Sequence, residues 1–315
     1  MKRSWRALLL FAALVAPQTT ARAWHDAGHM VVAQIAYLRM SPSARAEVER
    51  LLVPPPDRRP LIHLCAGYYT RDTCEKLYDP VTIAVWMDDF RGDSLNDAYD
   101  TWHYINYNPL FDGIPARPNV GPLPTNVLDR LNWSINTLRT GTGSDKRDAE
   151  ALGFLYHLAG DVHQPLHAAT RYSAAHPDGD AGGNLFAIQP PPNSGARSLH
   201  FFWDAAAGLF NYENPKRPLD AAARARLRQS AEDLMRKYPA AADAKVTDPQ
   251  VWVVESNRIA RTFAYAQARP GEAPTAAYTE QARDISGQRL ALAGYRLAAV
   301  LDEILVRPPA PPAAR

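Results

Sequence analysis

The sequence predicts a mostly α-helical protein, built as a single multi-helix domain with long loops and a short hairpin. Three observations carry that prediction. Apolar residues recur at steps of three and four along most of the chain, helix start and stop signals bracket those runs, and the length suits one large helical domain with no second domain required.

The first residues are set apart from that domain. Lys2, Arg3 and Arg6 precede the apolar stretch LLLFAALVA, which is too short to cross a bilayer, and Ala21-Arg22-Ala23 has a small-x-small cleavage pattern. Residues 1–23 are therefore expected to be a signal peptide, removed before Trp24. An uncleaved anchor is the competing reading, but no stop-transfer run follows. The expected destination is the periplasm or the medium.

Helices should then follow in order. His25 to Met40 is the first, and Ser41 with Pro42 supplies an N-cap and first turn for a second that must stop before Pro54. Val81 to Phe90 reads as a short apolar helix, and Leu128, Leu131, Ile135 and Leu138 place an amphipathic one between Thr125 and Gly141. Asp145–His163, Ser198–Phe210, Leu219–Tyr238, Asp248–Ala266 and Thr275–Val306 complete the set, the last with a break expected near Gly287 or Gly294. Loops are expected at 53–80, 107–124 and 171–197, with LFAI in the third as a hairpin strand. The domain thus spans 24–306, and the Pro/Ala-rich residues 307–315 form a disordered tail.

Charge and cysteines narrow the chemistry. The chain's formal +2 includes four cations and no acids within residues 1–23, leaving −2 for the mature protein. A polyanion held here by lysine and arginine alone would normally demand a basic chain, so bound cations are expected to help. Cys65 and Cys74 lie close together in a loop of an exported chain, which favours a local disulfide over free thiols or thiolate ligation. Any metal should be held by nitrogen and oxygen.

The richest segment for such ligation is FLYHLAGDVHQPLH. His157 and Asp161 stand four apart on one helical face, and Pro165 ends the helix so that His167 can point separately. His200 and Asp204 in SLHFFWD repeat the spacing. A lone buried histidine is more often a satisfied core residue, and a lone His–Asp pair is as often a surface ion pair, but several together suit zinc. Asp88 in VWMDDF and His103 in WHYIN are further candidates. There is no H-E-x-x-H, no G-x-S-x-G elbow and no Walker motif.

Taken in order, WHDAGH, VWMDDF, WHYIN, HLAGDVHQPLH, GGN, LHFFWD and LALAGYRLAAVL resemble the zinc-dependent S-one/P-one type nucleases, the type I nucleases of fungi and plants, which share a helical fold with zinc phospholipase C. The resemblance implies three Zn²⁺. Trp24, through its α-amine and carbonyl, would join His29 and a bridging Asp161 on one ion; Asp88, His103 and His157 would complete the second; His167, His200 and Asp204 would hold the third. It also implies catalytic roles for Asp88 and Arg91, base stacking by Tyr104, and substrate contacts by Asn184. Asn106 stands where fungal members carry an acidic base-contacting residue, so their base preference does not transfer. His25, His63, His163 and His176 match no ligand of the family.

The implied activity is endonucleolytic cleavage of single-stranded DNA and RNA to 5′-nucleotides, with 3′-nucleotidase activity, by a monomer without an obligate protein partner. The rival is a phospholipase C, or a dual enzyme acting on phospholipid too, because the ligands do not separate the two. A non-catalytic zinc-binding protein is disfavoured by Arg91 and the open donor set.

Overall fold

Apolar periodicity becomes helix throughout the computed structural model, which describes residues 24–52, 79–89, 99–192 and 194–305. Helix α1 (Asp26–Arg39) is buried over most of its length, from Ala27 to Ile35 and Ala36. The Ser41 hydroxyl accepts from the Ala44 amide and caps α2 (Pro42–Leu52), as its position before Pro42 predicts. A 3₁₀ turn over Thr82–Val85 runs into the single turn of α3 (Trp86–Asp89).

Asn126 accepts from the Leu128 and Asp129 amides and starts α4 (Val127–Thr140), which packs along α5 (Asp145–Asp161). After α6 (Leu199–Asp204), capped by Ser198, come α7 (Ala221–Lys237) and α8 (Pro249–Ile259), capped by Asp220 and Asp248. Helix α8 continues through a π-turn at Ala260–Ala264. Helix α9 (Ala276–Leu305) closes the described chain and crosses α1.

The fold class is as predicted, and three local expectations are corrected. Helix α9 runs unbroken through Gly287 and Gly294, and Gly294 serves packing instead: a Cβ there would lie 2.5 Å from the Cβ of Ile35, so this glycine allows α1 and α9 to touch. The expected helix from Ser198 to Phe210 ends at Asp204, since Ala206 and Ala207 take left-handed φ of 49° and 52°. The expected LFAI strand is reduced to one antiparallel bridge, Ala187 to Ser198, whereas Leu110–Asp112 (β1) and Arg171–Ser173 (β2), read as loops, pair in parallel. Residues 1–23, Cys65, Cys74, Arg91 and the tail lie outside the described residues.

Two apolar clusters flank the end of α5. One gathers α1, α4, α5 and α9 around Trp24, Ile35, Leu155 and Leu297; the other joins Leu166, Phe202, Trp203, Phe263 and Tyr278. His157 and Asp161 lie in the last turns of α5, and His167 follows in the 3₁₀ turn Pro165–Ala168, between Leu166 of the second cluster and Ala168 of the first.

Candidate metal centre

Helical spacing brings the first pair together. His157 Nε2 lies 3.2 Å from Asp161 Oδ2, and both residues are fully buried. His157 Nδ1 donates to the Ala84 carbonyl at 2.7 Å, which fixes the tautomer and turns the Nε2 lone pair toward Asp161. The same 3₁₀ turn that carries Ala84 leads into Asp88, whose Oδ1 is 3.7 Å from that nitrogen.

His29 arrives from α1. Its ring stacks on His157 with centroids 4.2 Å apart, and its Nε2 is 3.3 Å from Asp161 Oδ1. This seat depends on Gly160, where a Cβ would stand 2.7 Å from His29 Nδ1. His103, from the 3₁₀ turn Asp100–His103, places Nδ1 3.0 Å from both Asp161 Oδ2 and His157 Nε2. Trp24 is fully buried beside them, its indole donating to the Gly160 carbonyl at 3.0 Å.

The remaining candidates form a neighbouring group. His167 Nδ1 donates to the His103 carbonyl at 2.6 Å and His200 Nδ1 to the Gly182 carbonyl at 2.7 Å, so the two neutral rings aim their Nε2 lone pairs at each other, 3.2 Å apart. Asp204 Oδ2 is 3.5 Å from His200 Nε2, and Gln164 Nε2 holds its other oxygen at 2.6 Å.

Three sets of potential ligand atoms therefore each fall within 4.8 Å: His29, Asp88 and His157; His103, His157 and Asp161; His167, His200 and Asp204. Facing lone pairs repel unless a proton or a cation lies between them, and imidazole nitrogens tied back to carbonyls are the usual form of metal ligands. His29 Nε2 and Asp161 Oδ1 are buried and make no hydrogen bond among the described residues. A nitrogen-and-oxygen donor set of this kind fits zinc, which binds both at about 2.0–2.2 Å.

Electrostatics agree with the geometry. Burial lowers His29, with His157 adding to the effect. Burial also opposes charge on His157, yet Asp161 and Asp88 raise it; Asp161 itself is held well below the carboxylate range, because the surrounding imidazoles outweigh its desolvation.

Residues 24–306 match the family profile described as S1/P1 Nuclease. The chain belongs to the S1/P1 nuclease family. It is similar to Endonuclease 4 of Arabidopsis thaliana, 26% identical over 301 residues that cover 91% of this chain and 90% of that protein. Nuclease S1 of Aspergillus oryzae is 23% identical over 321 residues, covering 96% and 99%. Endonuclease 5 of Arabidopsis thaliana reaches 32% over 164 residues, about half of each chain. As an S1/P1 nuclease the protein is a hydrolase of phosphodiester bonds, in a family that depends on zinc.

Around this S1/P1 nuclease centre, the predicted substrate residues are half-buried. Tyr104 follows His103 directly, Asn106 follows in the same extended stretch, and Asn184 donates to the Ala181 carbonyl in the turn that anchors His200. Burial raises the Tyr104 phenol, with Asp100 adding to it. Sequence reasoning missed Arg217, which grips Asp89 through two nitrogens at 2.5 and 2.7 Å and lies 3.7 Å from Asp26. It ties the neighbour of Asp88 to the start of α1 across 128 residues, a separation without local signature. His163, which matches no ligand of the family, is fully buried, its Nε2 accepting from Arg296 Nη1 at 3.1 Å.

Proposed function

We propose that the protein is a trinuclear-zinc endonuclease that cleaves single-stranded DNA and RNA to 5′-nucleotides, with 3′-nucleotidase activity. The observation that carries this reading is the convergence of three ligand sets in buried positions, with His157, His167 and His200 each pinned by a backbone carbonyl. Trp24, His29 and Asp161 would hold one ion; Asp88, His103, His157 and Asp161 the second; His167, His200 and Asp204 the third. When bound, the ions supply Lewis acidity that activates water near neutral pH and polarises phosphoryl oxygens.

The chain's own groups do the positioning. Asp88 orients the nucleophile, Arg91 stabilises charge on the phosphoryl group, Tyr104 stacks on a base, and Asn106 and Asn184 contact the nucleotide. Export through the signal in residues 1–23 frees the Trp24 amine as a ligand, in the periplasm or outside the cell, and Cys65 and Cys74 pair there as a disulfide. The protein works as a monomer.

The test is turnover of correctly processed protein on single-stranded DNA, RNA and phosphatidylcholine side by side, with chelated and zinc-restored controls. Zinc-dependent release of 5′-nucleotides is expected; preferential release of diacylglycerol would make the enzyme a phospholipase C with the same site. A form retaining one extra residue before Trp24 should bind less zinc and lose most activity. Full zinc content and turnover in that form would refute the amine ligand.

A further inference from the structure

A cavity of about 470 Å³ opens beside the third ligand set, with Asp204 in its wall. Its other walls include His25, Phe201, Phe210, Tyr212 and Arg283. Phe201 is 41% exposed and is the only aromatic among the exposed large apolar side chains of the described residues. A phenyl ring left in water next to a catalytic centre gains most from a flat apolar partner.

The walls are fixed in place. The His25 amide donates to the Asp204 carbonyl at 2.9 Å, and the Ala27 amide to Asn214 Oδ1 at 3.3 Å. The His25 ring meets Phe201 edge-on with centroids 4.8 Å apart, and Phe210 and Tyr212 form a second ring pair at 5.7 Å. Consecutive left-handed residues Ala206, Ala207 and Gly208 turn the chain directly after Asp204 and present the Ala207 carbonyl to Arg283. Arg283 Nε and Nη2 both donate to that carbonyl, which leaves Nη1 without a protein partner among the described residues.

We infer that this cavity is a stacking subsite for an unpaired nucleobase of the polynucleotide, next to the third ligand set, with Arg283 meeting the adjoining phosphate. The inference rests on the nuclease reading. Rings arranged around a space walled by Asp204 accept any base through its π-face, and one cation at the rim complements one phosphodiester.

The experiment compares wild type with Phe201→Ala, Phe201→Tyr and Arg283→Ala on a long single-stranded oligonucleotide and on a dinucleotide. Phe201→Ala should raise KM for the oligonucleotide about tenfold, as expected for one lost base stack, while kcat and dinucleotide kinetics stay near wild type. Phe201→Tyr should restore KM. Arg283→Ala should lower the slope of log(1/KM) against log salt by about 0.7, one phosphate contact on a single strand. Equal losses on both oligonucleotides would overturn the inference and make Phe201 a support for α6. Unchanged cleavage of DNA with impaired hydrolysis of phosphatidylcholine would also overturn it, in favour of an acyl-chain groove. Failure of the wild type to cut single strands would instead sink the nuclease reading itself.

Discussion

His157 and His163 lie on one segment, six residues apart, and both are fully buried, yet their surroundings are opposites. Around His157 the partners are imidazoles and carboxylates, with lone pairs converging. Around His163 the partners are cations and closed hydrogen bonds. Its Nδ1 donates to the Ala159 carbonyl, Arg296 donates to its Nε2, and Arg289 and Arg296 both grip Glu255. Burial keeps His163 well below its ordinary pKa, and the two guanidiniums push it further the same way. Burial of histidine therefore says little by itself; what separates a ligand from a strut is whether its neighbours supply protons or only accept them.

The largest effect expected from breaking this contrast is at Asp161, whose carboxylate lies within 3.3 Å of ring nitrogens of His29, His103 and His157. Asp161→Asn replaces half of a buried carboxylate by an amide donor, and turnover should fall about 10³-fold or more, with lower zinc content by elemental analysis. Wild-type zinc and rate in that variant would mean that Asp161 is only a core carboxylate. On the other side, Arg296→Met leaves Glu255 and His163 without their shared partner. It should destabilise the zinc-loaded protein by about 3–5 kcal/mol in urea, with kcat per folded molecule near wild type.

The smallest expected effect is one of pH. Desolvation alone would raise the Glu255 carboxyl, but hydrogen bonds from Arg296 and Arg289 bring it down to about 2 from 4.5. An unfolded chain thus binds a proton below pH 4.5 that the folded chain refuses until about pH 2, so this contribution is full above 4.5 and is lost as pH falls toward 2. With solvent screening it amounts to about 1–2 kcal/mol. Urea curves at successive pH values should show Glu255→Gln less stable than wild type at neutral pH and the gap closing in acid. A constant gap would place its role in packing.

What was legible in the sequence was local. Pairs four apart, such as His157 with Asp161 and His200 with Asp204, are fixed by the pitch of a helix, and the prolines and Ser41 mark helix ends wherever the tertiary structure leaves propensity undisturbed. What escaped depends on contacts distant in sequence: the Arg217–Asp89 link, the parallel β1–β2 pair, and the role of Gly294 as a space for Ile35. The early end of α6 escaped for another reason, because alanines at 206 and 207 favour helix and carry no mark of a left-handed turn. His163 could not be told from its neighbours until Arg289 and Arg296, over a hundred residues away, were brought beside it.

The contact between α1 and α9 bears on timing. Helix α1 carries His29, but its most extensive partner among the described residues, α9, is made long after it. The seat for His29 is therefore finished only once α9 has been made, and chains cut short before α9 lack the surface that holds α1 in place.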